Sequence, residues 1–454
     1  MSENKREKEQ EISREEKFAT SSKIATIEME KRKPVSAIHS ITLSLQHVVA
    51  MVVGCITVPI IASAAANLSD VQKVSMIQAS LLSAGIAILI QSLCAKIYIG
   101  SGLPLMVGSG FAFIGVLTSI AGNYGVAEMF GAQLIAAVAG IIFAYLYKYI
   151  KLIFTPVVKA VVVMTIGISL SSTAVNYIAG NVNSRFYGTP KSWAIGMFTL
   201  VVTLIYAHYG KGFIKLSSTL LGLVTGYVVA LIFHLVHFES LDKPVIFSLP
   251  HILPFGLKFE IAAIVPFIIL VIISAVQDMG QIEASTHGLF AREAKDNEVR
   301  GGIIANNIGT FIGSIFGGAP NAIAGQNVGI AVTTGVAAKS VFIMSGALLI
   351  LIGFFPIVSA FFLTIPNSVL GGATIAVFGS IATTGMKMLA SAGMSKRNMA
   401  IAGLSLSMAI GITYHADAFS RFPTWVHSIF GNAIVVATLT SIILNLALPR
   451  ELED

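Results

Sequence analysis

Charge is what this sequence has least of. Asp, Glu, Lys and Arg make up 11% of its 454 residues, against about 25% in a soluble domain, too few to face water on every side. Cysteine is almost missing: Cys55 and Cys94 are the whole supply. Both sit in apolar runs without metal-ligand spacing, which excludes a disulfide framework and a cysteine metal centre and leaves them as small packing residues. No His-Glu-x-x-His, Ser/Lys dyad or paired carboxylate falls in the apolar segments, which argues against an enzyme, and no metal or cofactor is expected. No basic stretch interleaved with aromatics suggests nucleic acid as a partner. The first 35 residues lack a short apolar core with a small-residue cleavage site, so they read as a polar cytoplasmic tail rather than a cleavable signal.

What is present is apolar sequence in long blocks. The composition is 55% hydrophobic with a mean hydropathy of +0.83. Crossing the roughly 30 Å hydrocarbon core of a bilayer takes about 20 residues of helix. Apolar segments fall at 41–65, 72–98, 103–122, 126–148, 155–178, 191–209 and 214–237, then at 259–288, 300–316, 319–336, 339–362, 365–389, 399–413 and 431–449. The expectation is an all-α integral membrane protein of about 14 transmembrane segments, divided as a tail at 1–35, a seven-segment repeat at 36–237, a loop at 238–258, a second repeat at 259–449 and a tail at 450–454. An odd number per half makes the second repeat enter from the opposite side, so the repeats are inverted. Basic residues such as Lys148, Lys211, Arg292, Lys339 and Lys396 fall on one side of the alternating path, with fewer opposite, among them Arg185, Lys243 and Arg421. The positive-inside rule then places both termini in the cytoplasm of a cell-membrane protein.

The third and tenth segments interrupt the helical pattern in the same way. One reads Gly102-Leu103-Pro104 and, after a short extended run, Gly108-Ser109-Gly110-Phe111. The other reads Gly318-Ala319-Pro320 and then Gly325-Gln326-Asn327. Proline lacks an N–H and glycine tolerates non-helical angles, so unbroken helices are not expected there. Short antiparallel strands meeting at the midplane fit instead, since irregular backbone at that depth must line a protein-covered cavity.

Polar residues inside apolar segments mark where a solute could bind. Gln46 and His47 stand in the first segment. Gln277, Asp278 and Gln281 stand in the eighth, with Gln277 and Gln281 four apart on one helix face. Glu283 reads as a paired or solvated group near the segment end. Gln326 follows the second break, with Asn306 in the segment before it and Asn327 as a helix-capping amide. A primary amide presents one acceptor and one donor, the complement of the cis-amide edge of a nucleobase.

On these residues the chain resembles the nucleobase–ascorbate transporter family, also called nucleobase:cation symporter-2. The family signature is [Gln/Glu/Pro]-Asn-x-Gly-x-x-x-x-Thr-[Arg/Lys/Gly], and Gln326-Asn327-Val328-Gly329 through Thr334-Gly335 fills every position. Gln46-His47 matches the family's first-helix pair, and Ser109-Gly110-Phe111-Ala112-Phe113 is similar to a stretch of bacterial uracil permeases. The resemblance spans roughly residues 36–450. It implies a core domain (segments one to four and eight to eleven) sliding like an elevator against a gate domain (five to seven and twelve to fourteen), and a homodimer. It implies substrate contacts from Phe111, Gln277, Gln281, Gly325, Gln326 and the gate residue Phe378, with Gln46, His47, Asp278, Asn306 and Asn327 as supporting or coupling residues. The implied activity is import of a nucleobase, a purine such as xanthine or urate, coupled to protons or sodium. The alternatives are a uracil permease or an anion transporter on the same scaffold. Two departures stand out: Gln277 replaces a glutamate usual in the family, and Asn306 stands where xanthine and urate permeases tend to have Asp.

Overall fold

The computed structural model describes residues 37–449 apart from 151, 183, 185, 237, 239–244, 424, 425 and 427–429. The expected tails, the start of the central loop, and Arg185 and Lys243 therefore lie outside the described residues.

In the first half, α1 spans Ala37–Ala65 and α2 Asp70–Leu93. The strand β1 (Val107–Ser109) then leads through one 3-10 turn into α3 (Ile114–Asn123). After these come α4 (Val126–Ile150), α5 (Pro156–Ile178), α6 (Pro190–Tyr209) and α7 (Ser218–Ile232). In the second half, α8 is Ile261–Phe290 and α9 Asp296–Phe316. The strand β2 (Asn321–Ile323) precedes α10 (Gly325–Thr334). Then follow α11 (Lys339–Gly353), α12 (Pro356–Leu363), α13 (Asn367–Ser391), α14 (Lys396–Tyr414) and α15 (Ala433–Ala447). Seven of these helices (α1, α2, α4, α5, α6, α8 and α13) are long and apolar enough to cross a membrane. The chain is mostly helical because a backbone inside lipid must satisfy its own N–H and C=O groups.

Local sequence sets the helix ends. Pro156 and Pro190 occupy first-turn positions, where a missing N–H costs nothing. Thr189 Oγ1 accepts the Ser192 N–H at 3.3 Å, and Ser395 Oγ accepts that of Asn398 at 3.2 Å. The stretch 339–362, which reads as one apolar segment, is two helices: α11 and α12 meet at an 80° bend. Pro356 cannot donate into the preceding turn, so the helix stops and restarts.

Packing falls into two groups. α2 lies against α9 and α11, α4 against α8 and α9, and α1 against α2, α3 and α11. Separately, α5 packs on α13, α14 and α15, and α6 on α7 and α13. The α5–α13 crossing is close because both helices present glycine. A Cβ on Gly167 would sit 2.4 Å from the Ala382 nitrogen, and one on Gly385 would sit 2.5 Å from that of Met164. Small residues allow such backbone contact where helix association depends on van der Waals packing. Contacts between the groups are sparser and run through α5–α8, α1–α7 and α10–α13.

Candidate functional site

The two strands meet inside the first group, against α1, α2, α8 and α9. Val107 pairs with Ile323, Gly108 with Ala322 and Ser109 with Asn321, antiparallel. The Gly110 N–H donates to Pro320 O (2.8 Å) and the Ala324 N–H to Met106 O (2.9 Å), extending the ladder at both ends. The pair joins segments more than 200 residues apart in the chain, and all six strand residues are buried. Each strand runs directly into a helical start, at Phe111 and at Gly325, so the first N–H groups of both helices lack intrahelical partners.

A cavity of about 770 Å³ lies where these starts face α5 and α13. Phe111, Gln277, Gln281, Gly325 and Gln326 all line it. A Cβ on Gly54 would touch the Phe111 ring at 3.3 Å and approach Gln326 Nε2 at 3.9 Å, so ring and amide are neighbours. A Cβ on Gly325 would fall 2.8–2.9 Å from the Gln281 carboxamide. Gln277 Oε1 is buried without a hydrogen-bond partner among the described residues. Among the described residues no Asp or Glu lines the cavity, whereas Lys215, Lys387 and His208 do.

Phe378 is fully buried and does not line the cavity; it meets the Phe111 ring edge-on, centroids 5.1 Å apart. The α13 side of the cavity is formed instead by its neighbours, including Val377, Gly379, Ser380, Thr383 and Thr384. The supporting residues form a layer behind the lining. Asp278 is fully buried: Oδ1 accepts the Ile323 N–H at 2.8 Å and Oδ2 accepts Asn306 Nδ2 at 2.5 Å. Asn306 Nδ2 also donates to Asn321 O at 3.1 Å. The two side chains thus grip both ends of β2. Asn327 Nδ2 donates to the His47 carbonyl (2.9 Å), with His47 Nδ1 at 3.2 Å. The His47 ring packs on Phe342 at 4.9 Å. Gln46 is buried beside His47 in α1.

Several polar contacts were not legible as site elements. Glu283 is paired, but with Lys159 of α5 at 2.6 Å, which ties the two helix groups together. Gln91 Nε2 donates to Gly302 O and Gln133 Nε2 to Gly318 O, fastening α2 and α4 to the segment around α9. A lysine or glutamine within an apolar run was the available signal. For Ser380, Thr383 and Thr384 the signal was the i, i+3, i+4 spacing.

Similarity to known proteins agrees with this architecture. The transmembrane domain of a cyanobacterium bicarbonate transporter, BicA, superposes with a TM-score of 0.52 at 17% identity, covering 90% of this chain and 98% of that one. The murine Slc26a9 anion transporter in the inward-facing state gives 0.57 at 15% identity, over 92% and 70%. At these identities the likenesses show the fold alone, one shared with those two transmembrane proteins. A sequence model described as "Permease family", of xanthine/uracil permease type, matches residues 38–418, and the chain belongs to that family. It is a permease and not an enzyme, and its place is a membrane. The uric acid permease PucJ of Bacillus subtilis is 32% identical over 412 residues, 89% of this chain and 91% of the relative. The xanthine permease of the same organism is 30% identical over 409 residues, 90% and 93%. The uric acid transporter UacT of Escherichia coli is 29% identical over 410 residues, 89% and 85%.

Proposed function

We propose that this chain carries a nucleobase across the plasma membrane, a purine such as xanthine or urate, in the cavity between the two helix groups. The observation that carries the reading is the ring of three carboxamides, Gln277, Gln281 and Gln326, set beside the Phe111 ring with Gln277 Oε1 unpartnered. A buried acceptor left so costs roughly 1–3 kcal/mol; an N–H on a heterocycle edge satisfies it. Amides offer both hydrogen-bond senses to such an edge, and the aromatic ring offers its face. The relatives named for uric acid and xanthine support the purine assignment.

The movement in this proposal is of elevator type. Fourteen segments in two inverted repeats form a core (α1–α4, α8–α12) that slides past a gate (α5–α7, α13–α15), with the gate as the dimer contact. The lysine-bearing end of the cavity faces the cytoplasm, as do both termini. Transport is coupled to protons or sodium. With Gln277 in place of a carboxylate, the acidic group nearest the site is Asp278, behind β2, and His47 lies in the same layer. The deciding experiment is uptake of labelled xanthine, urate, uracil, adenine and guanine into vesicles, with sodium replaced and with a protonophore. Gln326→Ala abolishes uptake while the protein still reaches the membrane. Normal uptake by that variant removes Gln326 from the site.

A further inference from the structure

A second cavity, of about 400 Å³, lies beside the same helices as the first but shares no lining residue with it. On α1 the larger cavity touches residues 50–55 and the smaller one Ile61, Ala64 and Ala65. On α5 the larger touches Val163 and Ile166, and the smaller runs from Ser169 to Tyr177. The two are therefore in line along the boundary between the helix groups. Buried Val58 lies between these stretches on α1 and Gly167 between those on α5; a Cβ on Gly167 would meet Phe378 O at 2.6 Å, and Phe378 packs on the Phe111 ring at the wall of the larger cavity. The smaller cavity lies at the end remote from Lys215 and Lys387, which is the outer end in the orientation proposed above.

Two of its polar side chains, the amides of Asn176 and Asn432, have a definite sense, and hydroxyls of Thr118, Ser169 and Thr173 stand beside them. Asn432 caps α15: its Oδ1 accepts the N–H groups of Ile434 (3.0 Å) and Val435 (3.3 Å). Asn176 Oδ1 accepts the Val182 N–H at 3.0 Å. Backbone donors thus orient both amides, leaving the two NH₂ groups as the ends available to a solute. Asn432 Nδ2 lies across from α3, where a Cβ on Gly115 would meet it at 3.3 Å. Ile61, Ile114 and Leu170 supply apolar wall. No charged side chain lines this cavity among the described residues. Oriented amide donors, apolar wall and no charged lining suit a small solute rich in carbonyl oxygens, and the volume lies in the range of small-molecule sites.

We infer that this is an outer docking site, built on Asn176 and Asn432, where a carbonyl-rich heterocycle binds before the Phe111–Phe378 ring pair parts. The inference rests on the nucleobase reading. Asn176→Asp and Asn432→Asp keep the oxygen that caps the backbone and replace only the donating NH₂. They are tested with labelled urate and xanthine in vesicles of each orientation. The expected result is a KM about tenfold higher for solute presented on the Asn432 side, with maximal rate and the KM from the lysine side unchanged. A KM that is unchanged, or changed equally from both sides, overturns the docking site. Gly115→Ala crowds the Asn432 amide without touching its capping oxygen, and if the aspartate variants do not reach the membrane its KM on the two sides decides the matter in the same way. A wild-type protein that moves none of the bases overturns the nucleobase reading and this site with it. Wild-type uptake with a symmetric variant response overturns the docking site alone.

Discussion

Each carboxamide at the site is held by a different constraint. The Gln281 carboxamide occupies the space where a Cβ at position 325 would fall, at 2.8–2.9 Å, so a methyl group at 325 must displace the amide, which is the movable end of a flexible side chain. Gly325→Ala is expected to raise KM about tenfold, the cost of about one lost hydrogen bond, while the melting temperature stays near that of the parent. An unchanged KM in uptake assays would show that Gln281 does not bind substrate. Gln277 is an amide where the family usually has a carboxylate, so it hydrogen-bonds but does not titrate at any working pH. In Gln277→Glu the protonated carboxyl keeps both hydrogen-bond senses of the amide, whereas the ionised form only accepts and loses the donor that the amide NH₂ offers to a substrate lone pair. Uptake by that variant should fall as pH rises and the new group ionises, whereas the parent lacks this step; superimposable pH profiles would count against the position's role. The residue types were legible in the sequence, because amides in apolar runs are conspicuous. Their partners were not: nothing near Asp278 in the chain says that it grips β2 through Ile323, 45 positions away.

Elements carry the next level of constraint. The α8–α9 connection is closed by a two-pronged pair, Arg292 Nη2 to Glu298 Oε1 at 2.6 Å and Nη1 to Oε2 at 2.8 Å. The Lys295 N–H also donates to Glu298, at 2.8 Å. Burial alone would raise the Glu298 carboxyl, but the Arg292 hydrogen bonds, the Lys295 N–H and both positive charges outweigh it and hold the group below the usual glutamate range. A carboxyl lowered on folding stabilises the fold above its unfolded value, and that contribution is lost as pH falls through the folded value. The melting gap between parent and Glu298→Gln should therefore be widest near neutrality and close in the acid range. The pair is part-exposed, so the effect is at most about 1 kcal/mol. Thermal scans from neutral to acid pH that show a constant gap would contradict this. Helix positions were readable from apolar runs, prolines and caps. The 80° bend between α11 and α12 was not, since Pro356 is equally compatible with a kinked helix and with a stop, and only packing against α2 distinguishes them.

For the molecule as a whole, the division into two packed groups is the feature on which the proposed elevator movement depends. Lys159 of α5 and Glu283 of α8 bridge them at 2.6 Å, with the lysine largely buried. A sliding motion has to part this pair. With Cys55 and Cys94 replaced by alanine, Lys159→Cys together with Glu283→Cys joined by a short bifunctional thiol reagent should abolish uptake, whereas either single cysteine treated alike should not. Uptake that survives the cross-link would show that the groups do not move at this boundary.

The sequence by itself determined that this is a membrane protein, where the third and tenth segments leave the helical pattern, and which polar side chains are too costly in lipid to be idle, because each of these follows from local composition and periodicity. Tertiary structure alone decided which of those side chains share a cavity, that Phe378 stands behind Phe111 rather than against the solute space, and that a second cavity lies in line with the first. Those facts depend on pairings between halves of the chain more than 200 residues apart, and the alternation of apolar and polar residues along either half carries no record of them.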